Sequence, residues 1–230
     1  MKKKNVFLAC LTAALVCCTI FAIPYVKMID NKSIKTDEYQ MFEELKQKSA
    51  YELKGIGFTD DEINGLKNMD FVQELKKRSK LSNKELANMG YNAQQIKDFK
   101  DFHDTKLEVR RLAVVCNVSS NLFYTDGYEY IIDYSWHWSS VPFNTKRDVI
   151  RINWSGALDS GEIGALRVDK NPSHTYCKVM YSYAGVVTAT DNAALKWDNE
   201  LSAISARFDV ERAPYTGEYA LSGSGRITLL

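Results

Sequence analysis

The chain has 230 residues, 45% of them hydrophobic and 26% charged, with 30 Lys and Arg against 29 Asp and Glu for a net charge of +1. That composition supports a packed core and excludes wholesale disorder, and the near-neutral balance removes the basic footprint of a nucleic-acid binder. Four Pro and twelve Gly exclude collagen-like and proline-rich stalk architectures.

Met1 is followed by Lys2, Lys3 and Lys4, and no further charge occurs until Lys27. Between them runs the apolar stretch Val6–Ile23, with the small residue Ala22 just before Pro24. A basic start, an apolar run and a small residue at its end form a secretory signal pattern. The span Val6–Val26 would also rise about 31 Å as a helix, enough to cross a bilayer core of about 30 Å. A cleaved signal peptide and a retained signal-anchor are both open over residues 1–26. Either predicts an exported protein, extracellular or at the cell surface, that meets a membrane only through this segment.

Residues 27–106 read as a small all-α module. Ser49 with Glu52, Thr59 with Glu62 and Ser82 with Glu85 each match the capping box, in which hydroxyl and carboxylate satisfy orphan N–H groups at a helix start. These signals repeat at an offset of 33, giving copies near 49–69 and 82–102. Ser49/Ser82, Glu52/Glu85, Leu53/Leu86, Gly57/Gly90, Ile63/Ile96 and Lys67/Lys100 are identical, and Phe58/Tyr91 stays aromatic. The unit predicts a short helix, a Gly-aromatic turn and a second helix, with helix 71–80 linking the copies. Stacking of the copies would bury what neither can bury alone. Phe58 and Tyr91, at the turns, are candidates to present aromatic rings to a protein partner.

Residues 107–230 shift to period-two alternation, and all four tryptophans fall here. Strands are predicted at 107–118, 128–138, 148–154, 163–168, 175–184, 204–210, 217–221 and 226–230. The pairs Asp126-Gly127 and Asn171-Pro172 and the run Gly223-Ser-Gly225 read as turns, and 190–202 as holding a short helical turn. The fold class expected is α+β: an N-terminal signal or anchor helix, the two-copy helical module, and a C-terminal antiparallel β-sandwich or barrel.

The run 128–138 carries Tyr130, Ile132, Tyr134, Trp136 and Trp138 at alternate positions, which places them on one face of a strand. Two readings stand side by side. The rings form a wall of the core, or Tyr134, Trp136, Trp138 and Trp154 form a platform on which sugar rings or peptide side chains stack. Cys116 and Cys177, the two cysteines outside the apolar leader, are candidates for a disulfide closing a loop of about 60 residues, worth about 4 kcal/mol on the loop-entropy model.

No serine-hydrolase, zinc-protease, P-loop or dinucleotide-binding signature occurs, and no cofactor or metal is expected. The reading that follows is an exported or cell-surface, non-enzymatic binding protein whose ligand is a glycan or a protein. One alternative is a hydrolase of cell-wall or host glycans using Asp133, Asp148 and His137. Another is a structural or regulatory subunit docking a partner through its helices.

Overall fold

The computed structural model describes residues 9–16, 32–55, 58–103, 106–124, 130–143, 147–156, 167–199, 203–213 and 216–230. Two strands come first, β1 (Ala9–Val16) and β2 (Lys32–Asp37). Helices α1 (Glu38–Gln47), α2 (Ala50–Gly55), α3 (Asp60–Asn68), α4 (Phe71–Ser79), α5 (Asn83–Asn88), α6 (Ala93–Lys100) and α7 (Lys106–Leu112) follow. The rest is strand: β3 (Val115–Tyr124), β4 (Tyr130–Trp138), β5 (Arg147–Gly156), β6 (Tyr176–Tyr183), β7 (Val186–Asn192), β8 (Ala194–Asn199), β9 (Ala203–Asp209) and β10 (Tyr219–Leu229). The fold is mixed α+β, with an N-terminal helical region and strand-rich sheets after it.

The strands form two separate antiparallel sheets, ordered β1-β5-β9-β8 and β2-β3-β4-β10-β6-β7. Neither closes into a barrel. They meet through Trp136, whose ring stacks on Phe208 of β9 with centroids 5.5 Å apart.

The helical repeat is larger than the capping boxes alone indicate. At the same offset of 33, α1, α2 and α3 correspond to α4, α5 and α6, so the unit has three helices and the segment 71–80 opens the second copy. Asp37 and Asp70 cap equivalent helices, accepting from Gln40 N at 2.7 Å and Gln73 N at 3.1 Å. Ser49 and Ser82 accept from Glu52 N and Glu85 N at 3.2 Å each. Lys67 donates to the carbonyls of Lys46 and Lys48, and Lys100, its equivalent, to those of Ser79 and Leu81. Each ammonium thus closes the C-terminal end of a helix, where carbonyls have no intrahelical donor and a cation is favoured. The pairs Phe42/Leu75, Leu53/Leu86 and Leu66/Phe99 are all buried.

Two equivalent pairs break this match, and they fasten the helices to the sheets. Glu38 is buried where the second copy has Phe71, and Arg78 is buried where the first has Leu45. Both charged groups grip the loop after β4. Glu38 Oε1 accepts from Phe143 N at 2.8 Å, while Arg78 donates to the carbonyls of Val141 and Pro142 at 2.6 and 2.7 Å. Arg78 also donates to the Tyr91 hydroxyl and lies 4.0 Å from the centroid of the Phe143 ring. The first copy is tied to the other sheet by the Glu62–Arg207 ion pair and by Arg151 donating to Gly55 O at 3.3 Å.

Several expectations are corrected. Residues 9–16 are not helical: as β1 they pair along β5, from Ala9 opposite Gly156 to Val16 opposite Val149. Hydropathy registers apolarity, and a short apolar run fits a buried strand as well as a helix. Among the described residues no helix is long and apolar enough to cross a membrane. The signal or anchor helix, the membrane contact through it, and the extracellular or cell-surface location that rested on it lose their support; residues 1–8 and 17–31 lie outside the described residues.

The disulfide is also overturned, since Cys116 and Cys177 are both free and buried. Two strands, β4 and β10, separate β3 from β6, which sets the cysteines about 14 Å apart across the sheet, and the register offsets them by about 13 Å more along it. A bridge needs Cα atoms within about 7 Å. The strand expected at 107–118 begins as helix α7, and of the stretch 190–202 expected to hold a helical turn, the described part, 190–199, is the end of β7 with β8.

The Gly223-Ser-Gly225 run lies inside β10 rather than at a turn. Gly223 pairs with Trp136 and Gly225 with Tyr134, and each ring lies over its glycine. A glycine inside a strand marks a close approach as readily as a bend.

Candidate functional site

The aromatic ladder forms core. Tyr134, Trp136 and Trp138 are 6%, 2% and 0% exposed, so none turns a face to solvent. The Trp138 indole donates to the Asp148 carboxylate at 3.3 Å, and the Tyr134 hydroxyl donates to Tyr176 O at 3.4 Å. Trp154 belongs to β5, but its side chain lies outside the described residues. Phe58 and Tyr91 are buried too. The second Gly-aromatic turn is occupied by the protein's own sheet region: Val141 N donates to Met89 O at 2.9 Å, and Gly90, at φ 88°, packs against Ser140.

The residues considered for hydrolysis are not brought together. Asp133 and His137 share the outer face of β4, four residues apart, or about 13 Å. Asp133 receives two bonds from Arg226, at 2.6 and 2.8 Å. Asp148 is fully buried beside Trp138. Among the described residues no group of three or more His, Cys, Asp or Glu is placed to hold a metal.

Alternation that buries Tyr134, Trp136, Cys177 and Val179 turns their neighbours outward, and the strand register aligns those neighbours into rows. One row crosses the six-stranded sheet: Ser33 opposite Ser119, then Ser135, Ser224, Lys178 and Asn192. At a strand spacing of about 4.8 Å the row is about 24 Å long. Ser33, Lys178 and Asn192 are exposed and the other three partly so. The Ser119 and Ser135 hydroxyls are bonded to each other at 2.7 Å. Sequence reading overlooked this row because its members lie on six different segments; only register unites them.

The row ends in a cleft of about 610 Å³ where the chain leaves β7 and crosses to β8 in the other sheet. Lys178 and Asn192 line it, together with Tyr176, Lys170, Thr175 and Trp197. The Lys178 ammonium lies 5.3 Å from the Tyr176 ring centroid, and that of Lys170 lies 5.7 Å from the centroid of Trp197. Neither Asp nor Glu occurs among the described residues that line it.

The loop forming one wall is held by its own hydrogen bonds. Asp169 accepts from Asn171 N at 2.9 Å and pairs with His174 Nδ1 at 2.6 Å, and these two bonds hold its carboxyl below the usual aspartate range. Thr175 is buried and accepts from Thr228 N at 3.1 Å, fixing the loop to β10. Cys177 also lines the cleft, and burial pushes its thiol up to about 12 and so leaves it a poor nucleophile.

No family model matches the sequence, and neither a curated protein nor a solved structure is detectably similar to it.

Proposed function

We propose that the protein is a non-enzymatic binding protein whose ligand is a glycan chain, laid along the serine row with one sugar seated in the cleft. The observation that carries this reading is the continuity of row and cleft, because Lys178 and Asn192 belong to both. Hydroxyl and amide groups donate and accept at once, which suits them to sugar hydroxyls presented one after another. The partly exposed Trp197 and Tyr176 add apolar surface beside those polar groups, the mixture found in small-molecule sites. Two sheets packed as a sandwich through Trp136 and Phe208 would keep the row rigid, so that little order is lost on binding.

The test is a glycan-array screen of the native protein against Trp197→Ala and Ser135→Val. Binding to at least one saccharide, lost in the tryptophan variant and weakened in the serine variant, is the expected result. An array with no signal, or one that neither substitution changes, would reject the reading.

A further inference from the structure

We infer that the six-stranded sheet selects an extended, β-1,4-linked glycan over a coiled one; this rests on the reading of row and cleft as the glycan site. The row is the floor of a shallow trough. Two residues to one side of it on each strand, the register aligns Lys35, Asn117 and His137, all of them exposed. Two residues to the other side it aligns Asn121, Asp133, Arg226 and Tyr176. The serine hydroxyls thus run between two lines of longer side chains, which stand about 13 Å apart. The second line is stiffened by the two bonds from Arg226 to Asp133, and it ends at Tyr176, in the cleft itself.

Step and straightness choose the ligand. Successive floor positions lie one strand apart, about 4.8 Å, on a line perpendicular to the strands. In an extended β-1,4-linked chain of hexopyranoses each sugar advances by nearly that step, so every sugar meets its own rung. The twist of the sheet turns successive rungs about the axis of the row by about 20–25° each. A β-1,4-linked ribbon can follow, because it twists about its own axis while staying straight. An α-1,4-linked glucan coils instead, and a straight floor loses it after its first sugars. The cleft then seats one end of the chain, and the trough counts the sugars that follow.

The experiment is a calorimetric titration of the full-length protein with cello-, chito- and malto-oligosaccharides, each series running from disaccharide to hexasaccharide. In at least one β-1,4-linked series, affinity is expected to rise by about threefold with each added sugar, as one more rung is engaged. The series that climbs identifies the sugar. The malto-hexasaccharide is expected to bind no more tightly than its trisaccharide. Ser33 stands at the far end of the row, about 24 Å from Asn192. Ser33→Val should therefore lower the β-1,4-linked hexasaccharide to the level of the pentasaccharide and leave the disaccharide unchanged, with an unaltered circular dichroism spectrum.

A malto series that climbs as steeply as the others, with loss in Trp197→Ala, would overturn the selection of an extended chain while leaving the glycan site standing. Affinity that stays flat from the disaccharide upward, or hexasaccharide binding unmoved by Ser33→Val, would overturn it as well. Failure of all three series would remove both the selection and the glycan reading.

Discussion

A β-carbon on Gly223 would lie 1.9 Å from Cη2 of Trp136, inside the indole that stacks on Phe208. Gly225 stands in the same relation to Tyr134, at 2.2 Å from its hydroxyl-bearing ring carbon. These two rings of the sheet interior thus fit because the facing strand has no side chain there.

Gly223→Ala should destabilise the protein by about 3 kcal/mol, at the upper end of ordinary overpacking. Gly65→Ala, in α3 with nothing within 4 Å of the added methyl, should instead stabilise by about 0.5–1 kcal/mol. Urea denaturation of the two variants checks the contrast. Equal midpoints would mean that the ring does not lie over Gly223.

Arg78 is 6% exposed and holds two loop carbonyls in a fork that only a guanidinium can span. Arg78→Lys keeps the charge but should still cost about 2 kcal/mol, and Arg78→Ala about 3–5 kcal/mol, because the Tyr91 hydroxyl and the loop carbonyls lose a buried partner. Thermal melts of the three proteins supply the ranking. A lysine variant as stable as the native chain would refute the bidentate role.

Lys67 and Lys100 carry out one task in two copies. Replacing either by Met retains the stem and removes the cation from the helix end, which should cost about 0.5–1 kcal/mol each. The sites are separate, so the double variant should show the sum within about 0.5 kcal/mol. Chemical denaturation of the two single variants and the double one tests additivity directly.

The Glu62 carboxyl would be raised by burial, but its bonds from Arg207 and Thr59 and the guanidinium charge outweigh that and hold it below the usual glutamate range. A carboxyl held low in the folded chain stabilises it above the unfolded value of about 4.3, and that contribution disappears as pH falls through the folded value. Glu62→Gln should therefore be less stable than native at pH 7 by about 2 kcal/mol, with the difference closing in acid. A stability gap between the two proteins that stays constant from neutral to low pH would disprove the linkage.

Burial pushes the Cys116 thiol well above its ordinary range and that of Cys177 up to about 12. Iodoacetamide at mildly alkaline pH should spare both in the native protein and alkylate both in urea without reductant. Peptide mapping by mass spectrometry reads the outcome. A peptide pair linked through these two residues would contradict the sheet order.

The helix caps were the most legible part of the chain, because a capping box is a local device of four residues and tertiary context cannot easily reassign it. Tyr130–Trp138 was equally plain as a strand by its alternation. What alternation does not say is what covers the apolar face, and both of its readings, core and platform, were consistent with the same residues. Gly223 and Gly225 misled because the chemistry that frees a glycine for a turn also frees it for a ring lying overhead. The described part of the apolar leader, 9–16, misled for a related reason: its hydrogen-bond partners lie in β5, far along the chain. The cleft and its serine row are products of register, a long-range property to which no single segment bears witness.

The mismatched pairs Glu38/Phe71 and Leu45/Arg78 make the two helical triplets non-interchangeable. A chain rebuilt with the second triplet in both places would lodge a guanidinium at position 45 with no loop to receive it, a loss of several kcal/mol. Two copies of the first would leave the Val141 and Pro142 carbonyls without their guanidinium donor, and the second triplet would lose its grip on the loop after β4. Duplication of the sequence thus coexists with a division of labour, and the polarity of that division fixes which triplet must come first.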